Sequence, residues 1–220
     1  MNSVEFFNNL GEIGEVIVYD EYRDIWNDVS SINQNIKADR AGLSPDERLS
    51  VFLELAKRPS YLVKAAKLLM AKNIVEIGTA EGLQFYSFAQ YLKDNFNNGR
   101  VWSCDIFDSR AEEYKSKYDN SEFYLGTSEY LSSKLPLDSK IDLIYVDAGH
   151  GKNEVLTDVE NMKKFQHDQT LWVFDDYDSR FGCYEDINEL CKRNDKFKIY
   201  KVGNTASNSP NHQVMIYGKL

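Results

Sequence analysis

The chain has 220 residues, enough for one α/β domain that buries a core without disulfide or metal staples. Its 26 basic against 35 acidic side chains leave a net charge of −9, which argues against nucleic acid as the substrate, because phosphate binding needs a basic footprint. No apolar run approaches the roughly 20 residues that cross a bilayer, the first residues carry no leader pattern, and Cys104, Cys183 and Cys191 form no CxxC pair. A reducing, cytoplasmic setting away from membranes is therefore expected.

Residues 1–43 are acidic and aromatic, with Phe6, Phe7, Tyr19, Tyr22 and Trp26 and no clear period. They are expected to form a cap or extension ahead of a domain over 44–220. Ser44-Pro45-Asp46-Glu47 carries the signals of a helix start, with Pro59 as its stop. A second helix over 60–71 follows, with Leu62, Ala65, Ala66 and Leu69 at helical spacing. From there the chain alternates. Strands are predicted at 73–77, 100–105, 122–125, 142–146 and 170–174, and helices at 83–93, 110–118, 128–134, 154–165 and 184–193. The ending differs, because strands at 196–202 and 213–219 have only an Asn-, Ser- and Pro-containing link between them, which reads as a hairpin. The fold class that results is α/β, a parallel sheet with helices on both faces, closed by an antiparallel C-terminal hairpin.

The sharpest motif is Val75-Glu76-Ile77-Gly78-Thr79-Ala80-Glu81-Gly82, an apolar strand running through a Gly-x-x-x-Gly turn into a helix. Gly78 allows a tight turn and Gly82 a close backbone approach. Asp105 ends the next strand, placed to take the two hydroxyls of a ribose, with Asp108 as its competitor and Ile106 beside it. Gly126-Thr127-Ser128 follows the third strand. The motif resembles motif I of the class I S-adenosylmethionine-dependent methyltransferases, whose sheet is Rossmann-like and ends in such a hairpin. That resemblance implies cofactor contacts from Glu76, Gly78, Thr79, Ala80, Gly82, Asp105, Ile106, Asp147 and, at the adenine, Ser128. The Gly-x-Gly-x-x-Gly of dinucleotide sites is absent, since Ala80 stands at its second glycine, which disfavours a nicotinamide oxidoreductase.

Two strand ends carry clustered acids, Asp147 after the fourth and Asp175-Asp176 after the fifth. Adjacent strands lie about 4.8 Å apart, so these carboxylates should converge and repel unless a proton or a cation intervenes. All-oxygen ligation suits Mg²⁺ or another hard divalent ion. The spacing, 28 and 29 residues from Asp147, is similar to the metal triad of divalent-cation-dependent O-methyltransferases. The wording Val-Asp-Ala-Gly-His and Phe-Asp-Asp-Tyr most resembles the family 24 type of methyltransferase. The resemblance covers about residues 60–195 and implies metal-assisted O-methylation of a small hydroxylated acceptor such as a sugar, in relatives that are often homodimers. His150 is the candidate base and Lys152 the second, although relatives place their base at other positions. His167 and His212 read as structural, and Tyr177 and Phe181 as pocket walls. Two other readings stay open: a catalytically silent binding protein on this fold, and an N-methyltransferase without metal.

Overall fold

The computed structural model describes residues 1–11, 22, 25, 42, 44, 58–204 and 210–220. The expected helix over 45–58 lies almost wholly outside them. The described chain opens with α1, Ser3–Leu10, capped by the Asn2 side chain, which accepts from the Glu5 amide at 2.9 Å. Within the segment expected as a cap or extension, these first residues are helical. Phe6 and Leu10, one helical turn apart, are fully buried in the same core as the sheet. Residues 58–69 form α2, so Arg58 and Pro59 lie within helical structure.

The sheet follows as β1 (Asn73–Ile77), β2 (Arg100–Asp105), β3 (Ser121–Leu125), β4 (Leu143–Val146), β5 (Leu171–Phe174), β6 (Phe197–Asn204) and β7 (Pro210–Tyr217). Between them run α3 (Leu83–Asn95), α4 (Ser128–Lys134), α5 (Glu154–Met162) and α6 (Cys183–Arg193). The helix expected over 110–118 is only a 3₁₀ turn, Glu112–Tyr114, because Tyr114 turns inward to pack on Tyr86. The strand order is β3-β2-β1-β4-β5-β7-β6, with β7 antiparallel to both β5 and β6. This is the parallel sheet with a terminal hairpin that the sequence predicts.

The central strands read Leu-Ile-Tyr-Val and Leu-Trp-Val-Phe, buried on both faces, as covered parallel strands must be. On one face Phe6, Leu10, Leu62, Ala66, Phe88 and Leu92 pack on Ile74, Leu143 and Met215. On the other, Leu131, Val155, Met162, Ile187 and Leu190 cover Val75, Ile144, Trp172 and Ile216. Among the described residues no helix is long and apolar enough to cross a membrane. The order reverses at β1, which pairs with β2 on one side and β4 on the other. Ligands of open α/β sheets bind outside the carboxyl ends of the strands at such a point.

Candidate active site

At that edge β1 runs into a turn whose backbone is unusual at three alternate residues, with φ +92° at Gly78, +45° at Ala80 and +92° at Gly82. Gly78 is required twice over. A Cβ there would collide with the backbone carbonyl of Asp147, and its positive φ disfavours any side chain. Ala80 holds a left-handed conformation that costs an L-residue about 1–2 kcal/mol. Asp105 offsets that cost. Its Oδ2 accepts from the amides of Thr79 at 3.0 Å and Ala80 at 2.9 Å, and its Oδ1 accepts from Phe107 at 3.1 Å. The carboxylate at the end of β2 thus clasps the turn at the end of β1, and its spare lone pairs remain for a ligand.

Beside this clasp opens a cavity of about 610 Å³, within the roughly 300–1,000 Å³ typical of cofactor sites. Gly78, Ala80, Asp105, Ile106, Ser128 and Asp147 line it, bringing together six of the residues singled out from the sequence. Ile106 is a large apolar side chain left 63 % exposed at the cavity, an arrangement suited to a stacked base. The competitor Asp108 is engaged elsewhere. Arg110 holds it through Nε at 2.8 Å and Nη2 at 3.0 Å, and these bonds keep its carboxyl down at about 2.

Glu76 lies behind the turn, 1 % exposed. The Ser103 hydroxyl bonds it at 3.0 Å and stands 2.6 Å from the Thr79 hydroxyl, while burial raises the Glu76 carboxyl well above its ordinary range. Thr79 is buried with it. The far wall of the cavity holds residues that sequence reasoning missed. Ser128 donates to Asp158 Oδ1 at 2.6 Å and accepts from Asn161 at 2.9 Å, both from α5. Burial pushes the Asp158 carboxyl up to about 6, against the Ser128 bond that pulls it down.

The acid cluster sits on the α1–α3 face of the sheet. Register aligns Val146 with Phe174, so Asp147 and Asp175 follow side by side. The Tyr145 hydroxyl lies 2.8 Å from both Asp147 Oδ2 and Asp175 Oδ2, and its single proton serves one of them at a time. Between the same two oxygens lies Arg58, its Nη1 2.6 Å from Asp175 and 3.8 Å from Asp147. Burial lowers the Arg58 pKa, and the charges of Asp175, Tyr145 and Asp147 more than reverse this. Asp147 is raised to about 8 by burial and then by Asp175, with Arg58 opposing.

Asp176 is turned elsewhere. Its amide donates to Asp175 Oδ1 at 2.9 Å, and its Oδ2 stands 2.6 Å from His150 Nε2. His150 also stacks on Phe181, ring centroids 4.8 Å apart. Lys152 points to Glu185 at 3.2 Å, in an exposed pair away from the cluster. Tyr177 packs on Tyr184 and donates to Asn188. His167 bonds Asp142 at the opposite edge of the sheet.

The expected metal triad is not shown. Asp147 Oδ2, both Asp175 oxygens and Asp176 Oδ2 are engaged by Arg58, Tyr145, His150 and a backbone amide. Among the described residues no group of three or more His, Cys, Asp or Glu is arranged to hold one. Arg58 and Tyr145 were both absent from the sequence expectations. Tyr145, two residues before Asp147 on a strand, shares its face by the period of two and was within reach of pattern reading.

Residues 75–177 match the family model of a methyltransferase domain. That stretch is just under half of the chain. An O-methyltransferase from Bacillus cereus in complex with S-adenosylhomocysteine is similar in structure, with a TM-score of 0.60, 19 % identity, and 89 % of this chain and 91 % of that one covered. An O-methyltransferase of tomaymycin synthesis from Streptomyces achromogenes, in complex with S-adenosylmethionine, matches at 0.59 and 15 % identity, covering 93 % and 92 %. A Podospora anserina methyltransferase with S-adenosylhomocysteine matches at 0.59 and 12 %, covering 91 % and 89 %. At such identities the likeness is one of fold. No curated protein sequence matches the chain. The matched stretch runs from β1 to just past β5, on a fold shared with proteins solved with S-adenosylmethionine or S-adenosylhomocysteine bound.

Proposed function

We propose that the protein transfers a methyl group from S-adenosylmethionine to a hydroxyl oxygen of a small polar acceptor. The observation that carries this reading is the cavity running from the Asp105 clasp to Asp147, which joins a nucleoside-sized cleft to the acid cluster. Asp105 would hold the ribose, Ile106 the adenine face, and Ser128 with Asp158 the adenine edge. When bound, the cofactor supplies an electrophilic methyl group. The chain's part is to orient the acceptor and take its proton, since in-line displacement depends on alignment.

His150 is the base in this reading. With Nε2–H donating to Asp176, Nδ1 is the nitrogen that would take the acceptor's proton, while Phe181 stacks on the ring. A base held by a second group in this way is the usual device for activating a nucleophile. The positive charge beside the acceptor end of the cleft is Arg58. For metal assistance, which the resemblance implies, no group of three or more metal-ligating side chains is arranged among the described residues, and the reading includes no step through a divalent ion. Arg58 in that place favours a second reading, transfer to an amine nitrogen, which needs no metal to lower the acceptor pKa.

Calorimetry with S-adenosylhomocysteine, followed by a screen of hydroxylated and amine acceptors for its release from S-adenosylmethionine, tests both. Binding and release with alcohols support O-methylation, and release with amines alone supports the second. Absence of cofactor binding would leave a binding protein on a methyltransferase fold.

A further inference from the structure

We infer that Arg58 is the built-in cation of the acid cluster: its guanidinium stands where a divalent ion would be held, so that the protein binds no divalent ion there while Arg58 is present, and loses that exclusion when Arg58 is neutralised.

The argument begins with the sheet. Asp147 and Asp175 extend neighbouring parallel strands by one residue, on the same face. Two carboxylates in that relation repel, and Asp175 has a fully buried side chain, so water screens it poorly. A proton or a positive charge relieves that repulsion, and here a positive charge is present. Arg58, from α2, provides it at 2.6 Å from Asp175 Oδ2 and 3.8 Å from Asp147 Oδ2, with its own side chain only 29 % exposed. A guanidinium is charged at every working pH, and its planar fork suits carboxylates.

A divalent ion and this guanidinium compete for the same space. Mg²⁺ sits about 2.0–2.1 Å from its oxygens and demands near-octahedral geometry. An ion bound to Asp147 Oδ2 and Asp175 Oδ2 would lie within a few Å of Nη1, where like charges repel and the atoms overlap. Other contacts hold these two oxygens and two more of the cluster. Tyr145 stands against the same two atoms, and Asp175 Oδ1 and Asp176 Oδ2 take the Asp176 amide and His150. Removing the guanidinium reverses the situation. It leaves Asp147 and Asp175 adjacent and uncompensated, with Asp176 one residue away, in a set of hard oxygen donors that suits Mn²⁺ or Mg²⁺.

The test is Mn²⁺ binding to the full chain, followed by electron paramagnetic resonance and calorimetry, without acceptor or turnover. Wild type is expected to show no saturable Mn²⁺ site. Arg58→Ala and Arg58→Gln are each expected to gain one site, at least about tenfold tighter than anything in wild type, as removal of a unit charge within a few Å implies. Adding Asp175→Asn to either should abolish the gain. The unfolding temperature of the single variants should rise with Mn²⁺ while that of wild type stays level. A wild-type site that Asp175→Asn removes would overturn the inference, and so would single variants that fold and gain nothing. If neither Arg58 variant folds, the comparison of wild type with Asp175→Asn decides in the same terms. Titration of S-adenosylhomocysteine into the same samples keeps this result separate from the methyltransferase reading.

Discussion

Asp105 does two things that can be measured apart. In the structure it accepts three backbone N–H groups, from Thr79, Ala80 and Phe107, before any ligand is considered. Hydrogen bonds to charged groups contribute about 1.5–3 kcal/mol when buried. These amides can partly turn to water once released, so about 1 kcal/mol each is the reasonable share, and Asp105→Ala should lower folding stability by about 3 kcal/mol in all. Loss of the ribose contact should add a separate penalty of about 1.5–3 kcal/mol in cofactor binding, or about 10–150-fold in affinity. Asp105→Asn retains one acceptor oxygen and should fall between. Urea unfolding without ligand reads the first quantity, and calorimetry with S-adenosylhomocysteine on the folded variant reads the second. Unchanged affinity in Asp105→Ala would refute the ribose assignment. Unchanged ligand-free stability would refute the clasp, whatever happens to the cofactor.

Gly78→Ala should destabilise by about 1–2 kcal/mol for its φ and about 1–3 kcal/mol for overpacking against the Asp147 backbone, and should weaken cofactor binding; urea midpoints and calorimetry check it. Phe6→Ala should cost about 3–5 kcal/mol in chemical unfolding, because Phe6 is fully buried in the main core, whereas a dispensable lid would leave the midpoint unmoved. Asp158 has a folded pKa of about 6 against an ordinary 3.8, so its contribution to stability is complete below about pH 4 and is lost as pH rises through 6. Asp158→Asn should therefore lack that decline, as urea midpoints from pH 4 to pH 7 would show.

Much of the fold was legible because its signals are local. The buried runs Leu143–Val146 and Leu171–Phe174, and the turn after Ile77, declare themselves within a few residues, and the structure places their ends within a residue or so of the expectation. The cavity residues Gly78, Asp105 and Ser128 were readable for the same reason, since each ends a strand or begins a helix at the edge where α/β sheets bind ligands. The misses are tertiary. Nothing around Arg58 says that its side chain reaches β5, 117 positions along the chain at Asp175. Residues 110–118 have a helix-like charge pattern, but the bond of Arg110 to Asp108 and the inward packing of Tyr114 draw the backbone into a single turn. Ser3–Leu10 was hidden differently: its period rests on two buried residues, Phe6 and Leu10, too few to stand out before the core that receives them is known.

The attachment of α1 bears on how the chain assembles as it is made. Phe6 packs on Tyr217 with ring centroids 5.3 Å apart, and the Tyr217 hydroxyl donates to the Met1 carbonyl at 2.9 Å. Tyr217 belongs to β7, which lies between β5 and β6 in the sheet. A ribosome therefore makes α1 long before its docking strand, and the outer part of the sheet cannot close until β7 is present. Contacts of such long sequence separation fold slowly. Until β7 arrives, Phe6 and Leu10 remain without their final cover, and a chain cut short of β7 exposes apolar surface on α1 and along β5 at once.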